Sequence, residues 1–410
     1  MPRPDRSRSE ELVEYRRIIS VDVPRTFHFS ECAAFGPEAR KEYAANLTDV
    51  LVAAVERSAA VHYYQGLNSV AAAALLAKGK DEAQVFVDAF LRVHGAPFCA
   101  ATLQETQAVL GLVARLVQLL DPSLAELVDS DPVLAQYTSA LGPLMTWHTH
   151  GSESAKEASI WLKELSSRHP LAAVYVAAAE VIGQRTPLRR AMTASSMEAR
   201  CAAYGLIGKR PERPAPADVL PLVDEWMARL PPRDLLLAAP DHTRRELTKV
   251  VSLWLPPASV PDIWSPATAR PVVAMTDASL ARDAKREWSS EELKEARARV
   301  AGSALSARAL LAVERALNPS SAAPEPRSAA PGSVSKAAAV SVGLLLAIAL
   351  LLVWGGAGDV SRAVGALMTR LGCQGEPDCA SGKAALAYTV KAAARVWDSL
   401  SGSAAGAVGT

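Results

Sequence analysis

Apolar residues recur at three- and four-residue intervals in one segment after another of this chain, and no segment alternates as a strand does. Helices patterned in this way bury one stripe against other helices, so the sequence specifies an all-α fold. The pattern is clearest over residues 37–60, where Leu47, Val50, Leu51, Ala54 and Val55 share a face behind a Gly36-Pro37 start. An alanine-rich helix then runs to Gly79, and Asp81 is expected to cap a helix carrying Val85, Phe86, Ala89, Phe90 and Val93. Thr102 and Glu105 read as a capping box for the next helix, which holds Val109, Leu112, Val113, Leu116 and Leu120. Asp121-Pro122 and Asp131-Pro132 each place an acceptor at an N-cap and a proline in the first turn. The run 169–182 is too short to cross a membrane and contains Glu180, so it reads as a buried helix. Further helices are expected at 218–230 and 241–255, and a Ser289/Glu292 capping box opens another of alternating charge to about Leu317. Residues 1 to about 17, polar and basic, read as a disordered lead-in or a frayed helix.

Composition narrows the function. The 410 residues carry a formal net charge of +1, which gives no global pull toward nucleic acid. Five scattered cysteines make no disulfide framework, and Cys32, Cys99 and Cys201 lack metal-ligand spacing, so most of the chain reads as intracellular. The first residues lack the apolar core of a signal peptide. No phosphate-binding glycine loop and no Ser/His/Asp arrangement stands out. His148 and His150 stand two apart without a third ligand nearby, and read as polar groups at a helix edge rather than a metal site.

The C-terminal part has a different character. Residues 256–271 are proline-spaced and mark a domain edge, and 318–335 are rich in proline, alanine and serine, so 256–336 reads as helical segments and linker. Between Lys336 and Asp359 lie 22 residues without a charge. About 20 helical residues cross the ~30 Å hydrocarbon core, so 337–357 is expected to be a transmembrane helix. Arg327 and Lys336 before it balance Arg362 and Arg370 after it, leaving orientation open on charge alone. Within the tail 358–410, Leu386, Val390, Trp397 and Leu400 oppose Lys391 and Arg395; this helix either lies along the membrane surface or is a marginal alanine-rich one.

Two short stretches carry the candidate chemistry. In the first, Arg25 follows Pro24 and stands three residues after Asp22, which makes an orientable cation on a short turn; taken alone it is most often a solvated surface charge. In the second, Gln65 precedes Gly66 where one helix hands over to the next. A primary amide donates and accepts at once and can hold a water molecule, although Gln-Gly alone is usually only a helix start.

Together they resemble the paired motifs of TBC-domain proteins, the GTPase-activating proteins of Rab GTPases: Ile-x-x-Asp-x-x-Arg-Thr and Tyr-x-Gln-Gly-Met-Asn. Ile19, Asp22, Arg25 and Thr26 fill the first; Tyr63, Gln65, Gly66 and Asn68 fill the second, with Leu67 at the methionine position. The resemblance implies a multi-helix TBC domain over about 1–255 and a Rab in its GTP form as partner. It implies that Arg25 neutralises charge developing on the phosphates and that Gln65 positions the attacking water in place of the GTPase's own glutamine. On that pattern Asp22 orients Arg25, and Thr26, Tyr63, Gly66 and Asn68 support the two segments. No cofactor is implied beyond the Mg-GTP that the Rab brings, and no nucleic acid.

Trp147 with a histidine after it, and His169-Pro170-Leu171 with Tyr175, resemble the endoplasmic-reticulum-anchored branch, whose members carry a C-terminal hydrophobic anchor. By that likeness the chain is a single-pass membrane protein of the early secretory pathway, with 1–336 cytosolic and 359–410 lumenal. Cys373 and Cys379 would then face an oxidising compartment, as a pair or as two free thiols. One departure stands out: the family has several helices and an Arg-x-x-x-Trp element before the arginine motif. Here 24 residues without a tryptophan precede Arg25, which is expected to expose core surface and leave the arginine turn poorly held. The alternatives are a membrane-anchored Rab-binding scaffold without efficient GTPase activation, and an unrelated helical tail-anchored adaptor.

Overall fold

Ser7 and Glu10 form a reciprocal capping box that opens α1 (Arg8–Asp22), so the N-terminal segment is a formed helix rather than a lead-in. Tyr15, Ile19 and Asp22 lie one above the other on its buried face. Arg8 donates to the carbonyls of Val55, Ser58 and Val61, tying α1 to the end of the helix that follows. The computed structural model describes residues 7–193, 203, 214–260, 262–264, 280, 282, 285–301 and 304–317. The expected transmembrane helix at 337–357, the tail at 358–410 with Cys373 and Cys379, and the linker at 318–335 lie outside the described residues. Among the described residues, no helix is long and apolar enough to cross a membrane.

All described secondary structure is helical. After 3-10 turns at Val23–His28 and Ser30–Ala34 come α2 (Pro37–Glu56), α3 (Leu67–Lys78), α4 (Lys80–Val93), α5 (Gln104–Leu120) and α6 (Pro122–Asp129). Then follow α7 (Leu141–Thr146), α8 (Ala155–Ser166), α9 (Ala172–Gly183) and α10 (Arg185–Thr193). The last are α11 (Pro216–Arg229), α12 (Pro232–Ala238), α13 (Asp241–Leu247), α14 (Ser290–Val300) and α15 (Ala304–Leu317). Every residue of α9 is buried, and α5, α7, α11 and α15 pack around it. On α5, Leu112, Val113, Leu116 and Val117 lose all contact with solvent, each contributing about 1.5–3 kcal/mol of burial.

Several helix starts differ from the sequence reading. Gly79 rather than Asp81 takes the N-cap of α4, and Asp81 lies in the first turn, where its charge still complements the helix dipole. Leu103 caps α5; Thr102 donates to the Glu105 carboxylate at 2.9 Å, but the box is not closed. Asp121 caps α6 as expected, whereas Asp131 accepts from Val133 and Leu134 ahead of only a 3-10 turn, Leu134–Gln136. Asp241 begins a helix that stops at Leu247, with a 3-10 turn at Val251–Trp254 beyond it. The Ser289/Glu292 box is present, but its helix breaks at Ala301, whose backbone is extended just before Gly302. The helical part of 256–336 is no free spacer: α15 packs on α9 and α11. A Cβ on Gly183 of α9 would meet Leu317 and Val313 of α15 at 2.8 and 3.0 Å.

His169 joins α8 to α9 inside this core. Its Nδ1 accepts from the Leu171 amide at 3.1 Å and its Nε2 donates to the Leu255 carbonyl at 3.0 Å, which fixes a neutral imidazole. Burial pushes it down to about 4 against the carbonyl bonds that favour its charge, and burial also pushes nearby His94 well below the usual histidine range. A histidine with a depressed folded pKa stabilises the fold above its ordinary value of about 6.5, and that stability is lost as pH falls toward 4. Urea unfolding at pH 7 and pH 5 should therefore differ by about 2 kcal/mol from His169 alone. Equal midpoints at the two pH values would contradict this account.

Candidate functional site

The two motifs meet at one buried carboxylate. Asp22 is the last residue of α1, and Pro24 fixes the first turn of the 3-10 segment that carries Arg25 outward. The Arg25 side chain is 55% exposed while that of Asp22 is 4% exposed, and Nη1 donates to Asp22 Oδ1 at 2.8 Å. The Tyr63 hydroxyl, from the second motif, donates to the other oxygen at 3.1 Å. A buried carboxylate with a donor on each oxygen holds its charge without leaving either oxygen bare. Burial first, and then the Asp22 charge, push the Tyr63 phenol above its usual range, so it stays a donor.

The backbone is tied as well. Asn68 Nδ2 donates to the Asp22 carbonyl at 3.2 Å, and Asn68 Oδ1 accepts from the Gly66 amide at 3.0 Å. Gln65 therefore lies between Tyr63, anchored on the Asp22 side chain, and Gly66, anchored through Asn68 on its main chain. Gln65 itself is exposed, and among the described residues none hydrogen-bonds its side chain. Gly66 adopts φ +116 at the N-cap of α3, and a Cβ there would meet Thr146 Cγ2 of α7 at 2.9 Å. Only glycine suits a left-handed residue pressed this close. Thr26 is fully buried; it donates to the Val23 carbonyl at 2.7 Å and accepts from Tyr43 at 3.0 Å, locking the arginine turn onto α2. The arginine turn is thus well held, contrary to the expectation of a poorly held one.

Some supporting residues carry no motif. Tyr15 on α1 contacts His62 Nδ1 at 2.6 Å, and Tyr64 donates to the Met145 carbonyl at 3.0 Å. The helical spacing of Tyr15 with Ile19 and Asp22 signals the first; the second joins residues 81 apart and has no local signal. His148 is not at a helix edge: it is buried, stacks on Trp161 at 4.4 Å, and its Nδ1 lies 3.5 Å from Glu180. His150 is exposed, so the two histidines do not converge on one ligand.

In this all-helical unit the arginine and glutamine motifs converge on one aspartate. Residues 4–161 match the family model described as the Rab-GTPase-TBC domain. TBC1 domain family member 20 from Homo sapiens is 26% identical over 145 residues, 35% of this chain and 36% of that protein. GTPase-activating protein gyp10 from Schizosaccharomyces pombe is 26% identical over 184 residues, 45% of this chain and 48% of that protein. The chain thus spans between about a third and a half of the length of these curated relatives.

Proposed function

We propose that the protein stimulates GTP hydrolysis by a Rab GTPase in its GTP form. Arg25 would supply positive charge at the phosphates and Gln65 would hold the attacking water. The observation that carries this reading is the shared aspartate: Asp22 holds Arg25 by its side chain and Gln65's neighbours by both side chain and main chain. Catalysis of phosphoryl transfer by a partner is almost wholly positioning and charge, and a common anchor gives both groups one frame. The Rab brings Mg-GTP with it. The TBC match and the gyp10 name, which describes a GTPase-activating protein, support the same reading. Residues 337–357 would hold the domain at a membrane of the endoplasmic reticulum or early secretory pathway, with Arg25 and Gln65 on the cytosolic side.

The test is single-turnover hydrolysis by a panel of GTP-loaded Rabs with the full chain in detergent. Acceleration of one Rab or a few supports the reading. Tight binding of a GTP-loaded Rab without acceleration would replace it with a membrane-anchored scaffold, and no Rab-selective binding at all would leave an unrelated adaptor.

A further inference from the structure

The segment from Met145 to Lys156 touches both motif-bearing segments. On the glutamine side, Tyr64 donates to the Met145 carbonyl at 3.0 Å and the Thr146 methyl lies against Gly66. On the arginine side, the Ser30 amide donates to the Glu153 carbonyl at 2.9 Å. The Glu31 carboxylate accepts from the amides of Ala155 and Lys156 at 2.9 and 3.1 Å, where α8 begins. Between these contacts the chain turns a sharp corner. Trp147 has φ 47 and His148 φ 63, conformations that bulky L residues rarely adopt, and Gly151 follows at φ 141. Both strained side chains are sunk in the core, Trp147 edge-on to Phe90 and His148 stacked on Trp161. Strain kept at adjacent residues needs surroundings that over-determine it, and such positions cluster where geometry serves function.

His150 is the exposed tip of this corner. Its Nδ1 lies 3.3 Å from the hydroxyl of Ser69, in the first turn of α3 after Gln65 and Gly66. Its ring lies edge-on to His28 at 6.1 Å, and His28 Nδ1 is 2.9 Å from the carbonyl of Arg25. The path Arg25–His28–His150–Ser69 thus runs from the exposed arginine turn to the buried Ser69 hydroxyl, linking the same two segments that Asp22 joins.

We propose that His150 is a positioning residue for GTPase activation, setting the separation between the Arg25 turn and the Gln65 segment from the strained corner at Trp147 and His148. The inference rests on the GTPase-activating reading above. It adds a residue that neither motif contains and that touches no reacting atom.

The experiment uses the full chain in detergent with the Rab it accelerates. His150→Ala should lower the hydrolysis rate at saturating activator about tenfold, since sub-ångström misplacement of a catalytic group costs rate steeply. Affinity for the Rab loaded with a non-hydrolysable GTP analogue, and the melting temperature, should not change. His150→Asn, which keeps a polar atom near the Nδ1 position, should recover most of the rate. Ser69→Ala removes the same contact from the other side, should reproduce the loss, and should add nothing to His150→Ala; it also serves if His150→Ala fails to fold. A wild-type rate in both variants, or a loss matched by weaker Rab affinity, overturns the positioning role alone. A wild-type chain that accelerates no Rab overturns the GTPase-activating reading and this one with it.

Discussion

Arg25→Ala is expected to remove about 10³-fold or more of the acceleration of Rab hydrolysis, the range an arginine finger supplies. Stability should also fall, because removing the guanidinium leaves the buried Asp22 carboxylate without its charged partner. Arg25→Lys sharpens the test. It keeps a positive charge for the buried carboxylate but loses the planar fork that matches phosphate oxygens. Single-turnover rates should stay low in both variants and affinity for the GTP-loaded Rab near wild type, while the melting temperature falls more in Arg25→Ala than in Arg25→Lys. A lysine variant with the wild-type rate would mean that charge alone near Asp22 suffices, and the finger role of Arg25 would fall.

Asp22→Ala should be the most damaging single change to the frame of the site. It strips Tyr63 of its acceptor inside the protein and releases Arg25. An orphaned buried hydroxyl costs about 1–3 kcal/mol, which should show as a lower urea midpoint. Activation should also fall, because the Arg25 turn and the Gln65 segment lose their common anchor. Asp22→Asn separates the two consequences: an amide oxygen can still accept from Tyr63, but the charge that orients Arg25 is gone. Near wild-type stability with low activity is the expected outcome for Asp22→Asn. If Asp22→Asn retained full activity, the ion pair with Arg25 would be incidental.

The helices were largely legible from apolar spacing, because a face such as Leu47, Val50, Leu51, Ala54 and Val55 has no stable partner except a helical core. Both motifs were legible as residue patterns, yet their meeting at Asp22 was not. Hydrogen bonds from Tyr63 and Asn68 cross 41 and 46 residues, and one of them lands on a main-chain carbonyl that carries no sequence signature. The N-terminal segment stayed open between a lead-in and a frayed helix because charged residues dominate it, although Tyr15, Ile19 and Asp22 already mark a helical face. The corner at Trp147 and His148 was illegible for a physical reason: large L side chains disfavour left-handed backbone, so sequence points away from it. His148 looked like a surface group beside His150, and only the stack on Trp161 shows it to be core. The packing of α15 on α9 was masked by the proline- and alanine-rich composition that follows it.

The central claim is that Arg25 and Gln65 act as one unit built on Asp22. The most direct measurement is single-turnover hydrolysis by the responsive Rab with the wild-type full chain, Arg25→Ala, Gln65→Ala and the double variant. Residues that act together lose their effects together, so each single change should cost at least about a hundredfold and the double change little more than the worse single one. A Gln65→Ala chain with the wild-type rate, or losses that multiply in the double variant, would contradict the account.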